Sequence, residues 1–319
     1  MKRRAFVCAA GAAVGFGAAR IAWGQSDYPA RVIRIVVPYP AGSGPDMLGR
    51  LVAQQLQKIF GRSVVVENRA GALGVVGTME VARAAADGYS LALATNTTHA
   101  ANVALYKDAG YHPLRDFAPV VRLCTGPMML LVRSESPYAD VAALQADANR
   151  SFSVGYGSAA SQVAAAKLAR GASLNVVNAA YKGIPAAVTD MLGGHIDYTF
   201  ADLPVAVPLI QSGRARALAV TADRRLAELP DIPTLGESVR DADVMGWQGI
   251  VAPSGTPPAV LAKLEDAFRK AFQDSDFVGQ VKAMHQTVAP LYGSDFETFI
   301  TREIERWKQD AQLAGIEPQ

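Results

Sequence analysis

The chain has 319 residues, half of them hydrophobic, with 28 glycines and 18 prolines, and its 31 basic side chains stand against 29 acidic ones. That length suffices for two globular domains sharing a cleft and excludes a peptide hormone, a coiled coil or a disordered tail. A formal charge of +2 supplies no counterion-release drive toward DNA or RNA, so no nucleic-acid partner is expected.

Residues 1 to 24 read as an export signal. Lys2, Arg3 and Arg4 precede an Ala/Gly-rich apolar stretch from Ala5 to Ala19, and Ala22 and Gly24 hold the small-residue spacing of a cleavage site before Gln25. The run is too short to span a bilayer stably. Arg3-Arg4 followed by Phe6-Val7 resembles a twin-arginine signal, and a Sec signal with a basic start fits equally. Either route leads to the periplasm. Of the two cysteines, Cys8 leaves with the signal and Cys124 remains alone, so no intramolecular disulfide is expected.

From Arg31 to Thr221 short β-branched runs alternate with amphipathic stretches, the pattern of sheets covered by helices, and the fold class is α/β. Val32 to Val37 reads as a strand, Pro38 to Gly44 as a turn and Asp46 to Phe60 as a helix with apolar residues spaced by three and four, ended by Gly61. Further strands are expected at 63–66, 89–95, 128–133, 152–155, 174–181, 196–200 and 215–221. Two long helices follow, Pro257 to Phe272 with its start marked by Thr256, and Ser294 to Leu313 opened by a capping box of Ser294 and Glu297. The chain is expected to pass between domains twice, at Cys124 to Arg133 and at Val244 to Pro253. This gives a discontinuous first domain (25–126 plus 248–319) and an inserted second one (127–247), each a mainly parallel sheet flanked by helices, with a ligand cleft between them.

Glycine-rich strand-to-helix turns carry the chemistry. In Pro38 to Asp46, Gly42 and Gly44 let backbone amides approach a ligand, and Ser43 sits three residues before Asp46 as a helix-opening cap, the arrangement of an anion site. Glu67 to Gly77 and Gly155 to Ser161 repeat it, and Thr95 to Asn102 adds hydroxyls and amides, among them Thr95, Asn96 and His99. Any single turn of this kind most often only joins strand to helix; several facing one cleft suit a small carboxylate. Asp202, ahead of Leu203-Pro204, either caps the following helix or meets a ligand amine, hydroxyl or bridging water. Gly155-x-Gly157-x-x-Ala160 imitates a dinucleotide fingerprint, but no acidic residue lies between Asp147 and Asp190 to hold a ribose about 20 residues on. The four histidines, His99, His112, His195 and His285, are scattered and no cysteine cluster exists. Neither a metal nor an organic cofactor is expected, and no catalytic residue is assigned.

Six segments in order, YPARVIRIVVPYPAGSGPDMLGR, VVVENRAGALGVVGT, ADGYSLALAT, AYKGIPAAVTDMLGGHIDYTFAD, RARALAVTADRRLAELPDIPTLGES and GWQGIVAPSGTPP, resemble the Bug family of periplasmic substrate-binding receptors of tripartite tricarboxylate transporters. The resemblance runs from about Tyr28 to the C-terminus. It implies a two-domain, non-catalytic receptor that closes like a hinge on an organic acid and hands it to transporter membrane subunits, most simply as a monomer. A periplasmic subunit of a sensor kinase system would use the same site, and a nicotinamide oxidoreductase is the enzyme-class alternative. Carried over by position, the resemblance implies Pro40, Ala41, Gly42, Ser43 and Asp46 for the first turn and Gly71 and Ala72 for the second. It implies Gly157 and Ser158 for the third, with Tyr181, Lys182 and Gly183 beside it. The chain departs from the family pattern at Leu73, at Ala159 to Gln162 and at Asn178 to Ala180, so citrate is not assumed as the ligand.

Overall fold

The computed structural model describes residues 28–318; the export-signal reading of residues 1 to 24 lies outside them. Ten strands form a continuous, curled sheet. The first part runs β1 (Ile33–Val37), α1 (Gly44–Phe60), β2 (Val64–Asn68), α2 (Val75–Ala82), β3 (Ser90–Thr95), α3 (Asn102–Leu105) and β4 (Phe117–Arg133). The middle part follows with α4 (Val141–Ala146), β5 (Ser151–Tyr156), α5 (Ala159–Gly171), β6 (Asn175–Ala180), α6 (Ile184–Leu192), β7 (Tyr198–Asp202), α7 (Leu203–Gln211) and β8 (Ala215–Val220). The chain closes with β9 (Met245–Pro253), α8 (Pro258–Gln273), α9 (Ser275–Ala283), β10 (Thr287–Tyr292) and α10 (Gly293–Leu313).

Two sheets share strand β4. One has the order β2-β1-β3-β9-β4-β10 and the other β8-β4-β7-β5-β6. The parallel pairing read from the sequence holds for β1 with β2 and β3, and for β5 with β6 and β7. Pairs made by β4, β8, β9 and β10 are antiparallel. The cause is topological: β4 and β9 are the strands on which the chain leaves one sheet and returns, and a returning strand beside its outgoing partner runs against it. Their mutual register extends from Phe117↔Pro253 to Pro127↔Met245, and β4 then continues beside β7 from Met128↔Asp202.

Burial follows the apolar periodicity. In β1 every residue but Arg34 is buried, and α1 sets Leu48, Val52 and Leu56 against the first sheet together with Leu264 and Phe268 of α8 and Phe277 of α9. Each such large apolar side chain contributes about 1.5–3 kcal/mol by leaving water. The other face of the first sheet is covered by α10, whose Phe296, Ile300 and Trp307 join the larger cluster that continues into the second sheet. Helix α10 also reaches α5, where Lys167 and Asp310 pair at 2.7 Å.

Helix starts at the C-terminal end differ from expectation. Helix α8 opens on Pro258 with Pro257 in the capping position, and Thr256 Oγ1 donates instead to Pro253 O at 2.7 Å. Strand β10 runs straight into α10 through Gly293, at φ 45°. The helix therefore begins one residue early, Tyr292 takes the cap position without a side-chain bond, and the expected Ser294–Glu297 box does not form. Helix α9 and strand β10 were not legible as elements, because each is short and carries a weak apolar stripe.

Candidate functional site

Five strand-to-helix turns and the strands β4 and β9 converge on one cavity. It is lined by Tyr39, Ser43 and Pro45 from the first turn, by Thr95, Asn96 and Thr97 after β3, and by Gly157, Ser158 and Ala160 at the start of α5. Ile184 and Asp202 complete the walls, while Gly126 to Met128 of β4, Gly246 to Gln248 of β9 and Gln286 form the floor. The enclosed space is about 40 Å³, room for roughly three or four water molecules at 10–15 Å³ each. The cleft is shut across its mouth: Ala159 N donates to Thr97 Oγ1 at 3.1 Å, and a Cβ built on Gly183 would stand 2.5 Å from Pro40 Cδ.

The first turn is braced from within. Ser43 caps α1, accepting from Asp46 N at 3.3 Å and donating to Pro40 O at 2.8 Å. Asp46 reaches back, its Oδ2 accepting from Gly42 N at 2.9 Å, while Arg50 and Asn68 hold the same carboxylate at 3.1 and 2.8 Å. Burial alone would raise its pKa; Arg50, the Gly42 amide and Asn68 outweigh that and hold it below the ordinary carboxylate range. The α5 turn uses a neutral version. Ser158 accepts from Ser161 N at 3.2 Å, and Ser161 Oγ accepts from Gly157 N at 3.1 Å and Ser158 N at 3.0 Å.

Asp202 does not cap its own helix α7, which has no side-chain cap bond. Its carboxylate lies instead at the opening of α1, where Gly44 N–H donates to it. Burial pushes its pKa up to about 6, opposed only by that amide. Nearby, Tyr39 shares a 2.8 Å hydrogen bond with Thr95 Oγ1, and burial raises its phenol to about 12. Two polar atoms of the cavity residues have no partner although they are buried, Asn96 Nδ2 and Gln248 Oε1. No lysine, arginine or histidine is among the lining residues.

Of the residues expected from sequence, Ser43, Thr95, Asn96, Gly157, Ser158 and Asp202 meet in this cavity. Pro40 and Gly183 face each other at its rim. Ala41 and Gly42 are exposed on the outer side of the turn, and the Gly42 amide is already given to Asp46. Asp46 thus organises the turn rather than lining the cavity. Gly71 and Ala72 lie outside the cavity walls, in a turn whose Gly74 packs on Thr98 and Pro38. Tyr181 turns away: its hydroxyl donates to Asp190 Oδ2 at 2.6 Å and its ring packs beside Gly155.

His99 is in the core, not in the cavity. It is fully buried, Nδ1 meets Thr98 Oγ1 at 2.9 Å, and the ring packs on Phe117 and Tyr111 with centroids 4.7 and 6.4 Å away. Desolvation holds it neutral, with its pKa down to about 3. Its position in the loop suggested a ligand group because spacing alone does not show that the π-helical turn Thr97–Ala101 points it inward.

The floor residues escaped assignment as ligand groups, although both stretches were marked as crossings between domains. Gln286 carried no signal, since it joins two elements that the periodicity did not reveal. A wider recess of about 630 Å³ lies on the outer face between α1 and α9, where Gln55 and Lys58 are held by Asp274 at 3.0 and 2.8 Å. Among the described residues no group of three His, Cys, Asp or Glu is placed to hold a metal ion, and no helix is long and apolar enough to cross a membrane.

This arrangement matches known proteins over most of its length. Residues 48–315 match the tripartite tricarboxylate transporter family receptor. Protein BugT of Bordetella pertussis is 34% identical over 291 residues, 88% of each chain. Among solved structures, R. palustris Rpa4515 with adipate superposes with a TM-score of 0.88 at 29% identity, covering 92% of this chain and all of that one. The periplasmic binding protein BugD superposes with a TM-score of 0.87 at 31% identity and the same coverage. These relatives are solute-binding receptors, not enzymes, and share the two-domain α/β architecture. With its family match spanning most of the sequence and its fold shared throughout, the chain belongs to the tripartite tricarboxylate transporter family of receptors, the Bug family.

Proposed function

We propose that this receptor acts in the periplasm, closes on a small organic carboxylate and delivers it to the membrane subunits of a tripartite tricarboxylate transporter, working as a monomer after Sec or twin-arginine export. The observation that carries the reading is the cavity itself, lined by turns from both sheets and floored by β4 and β9, the strands that join them. It fits a division into residues 25–126 plus 248–319 and residues 127–247, with the hinge at Gly126 and Gly246. Adipate, held by the R. palustris relative, is of the ligand class expected. A space of about 40 Å³ is too small for such a molecule, so uptake requires the two halves to part and re-close around it, a population shift driven by contacts made to both.

A thermal-shift screen of mono-, di- and tricarboxylates tests this directly. A binding acid at a hundredfold excess over its Kd should stabilise the protein by about 2.7 kcal/mol, and small-angle scattering should show the ligand-free ensemble to be the wider one. Silence across all acids, with hits confined to sugars or nucleotides, would sink the reading. Delivery is checked by reconstituted uptake with and without the receptor.

A further inference from the structure

Away from the cavity, one face of α10 grips the second crossing between the halves. Glu303, Arg306 and Asp310 follow each other at spacings of three and four, so they stand in one row on the helix. Glu303 Oε2 accepts from the Trp247 indole Nε1–H at 3.0 Å, and the Arg306 guanidinium donates to Met245 O at 3.2 Å. Asp310 reaches across to α5, where Lys167 Nζ lies 2.7 Å from its Oδ1 and also donates to Asp243 O at 3.1 Å. Three residues further along each helix, Arg170 donates to Leu313 O at 2.6 Å.

These bonds are of two kinds. Those of Glu303 and Arg306 tie α10 to the returning strand β9 itself. The Lys167–Asp310 pair, with Arg170 beside it, joins residues 127–247 to residues 248–319 through neither a connecting strand nor the cavity. Its side chains are 11% and 14% exposed, against 60% for each partner of the surface pair Lys270–Asp266. A surface pair contributes little, whereas a desolvated one is costly to break when one charge is left without a partner. Here each charge keeps a second partner in its own half. Lys167 retains Asp243 O, and Asp310 retains Arg306, whose Nε lies 3.9 Å from its Oδ2. The pair can therefore part without stranding either ion.

We propose that Lys167 and Asp310 form a closure contact, made when the halves meet and lost when they part, and so determine ligand affinity without touching the ligand. The inference rests on the receptor reading and deepens it. A contact confined to the closed state raises the closed population, and apparent affinity falls in proportion when that population falls. A contact kept in both states would change stability and leave the Kd alone.

The first test needs no ligand. Lys167→Cys and Asp310→Cys are combined and joined by a short bismaleimide after folding, while Cys124 stays sealed in the core. Small-angle scattering of the ligand-free protein should give a narrower particle joined than unjoined. Equal widths, with the unjoined protein as wide as the ligand-free ensemble of the unaltered chain, make the pair a fixed pivot and overturn the proposal.

The second test uses the near-isosteric Asp310→Asn, with calorimetry against adipate, succinate and citrate. For each acid that the unaltered protein binds, the Kd should rise about threefold to tenfold, and Asp310→Glu should restore most of the affinity. A melting curve on the same samples separates this from lost fold. An unchanged Kd in folded Asp310→Asn overturns the closure contact and leaves the receptor reading standing. If no acid binds, the receptor reading falls, and the joined protein still decides whether the pair breaks on opening.

Discussion

The turn opening α1 and the turn opening α5 are built on one plan and charged differently. Each places a serine at the helix cap and a second side chain three residues on that bonds back to an amide before the cap. In the first that side chain is Asp46, clamped by Arg50 and Asn68; in the second it is Ser161, neutral and internal. A carboxylate so placed already satisfies the helix end electrostatically, and Asp202 supplies a second one from across the cleft. The amides of the first turn are therefore already partnered by carboxylates, while the α5 turn is closed by hydroxyls alone. Glycine-rich turns that look alike in sequence need not offer the same thing to a ligand.

The comparison breaks most readily at Gly157, where a Cβ would stand 2.2 Å from the Gly183 carbonyl carbon. Gly157→Val should cost at least about 2.7 kcal/mol of binding, a hundredfold in Kd, because the turn cannot seat against α6. Calorimetry beside a melting curve separates lost binding from lost fold, and retained affinity in a folded variant would remove the α5 turn from the site. Asp46→Asn tests the anchor. It should lower stability by about 1.5–3 kcal/mol, the range for hydrogen bonds to a charged group, with little change in affinity.

That loss has a pH signature. The pKa of Asp46 is depressed in the fold, so its contribution is present above the unfolded value near 3.8 and fades as pH falls through the folded one. Wild type and Asp46→Asn should converge in denaturant midpoint under strongly acidic conditions. Ser161→Ala, in the neutral turn, should show no such convergence. Asn96→Ala sharpens the contrast further, with an expected loss of about 1.4 kcal/mol, tenfold in Kd; an unchanged Kd would remove Asn96 from the site. The smallest effect belongs to Gly42→Val. No heavy atom lies within 4 Å of a Cβ built there, and φ is +79°, so stability should drop by about 1–2 kcal/mol from the left-handed backbone while affinity changes less than about twofold.

How much was legible in the sequence follows from these same residues. The strand, glycine turn and helix of 33–60 could be read because β-branched residues, a serine cap and a three-four apolar spacing all agree locally. Even the function class was accessible, since six segments in order resemble one family. The direction of each polar group was not legible. Spacing put His99 and Asn96 in one loop but could not say that one enters the core and the other the cavity, because that depends on the π-helical winding of Thr97–Ala101. Nor could it decide whether Asp202 caps α7 or crosses to α1, where its side chain lies against Gly44. Leu73 is a case in between: the resemblance implied a departure there, and the leucine holds a left-handed φ of 49° that glycine would adopt freely.

Cys124 gives the molecule a built-in clock. Among the described residues it is the one cysteine, and it is fully buried with its Sγ 3.8 Å from Oε1 of Gln286, a floor residue of the cavity. Burial raises the thiol to about 12, so a maleimide or disulfide reagent meets a protonated, sealed sulfur while the floor stays in place. Labelling then waits on local opening, and its rate reads the free energy of opening at that one site, as exchange of a single amide does. A ligand that locks the floor slows the clock, and the ratio of rates with and without it measures how firmly that ligand holds the floor in place.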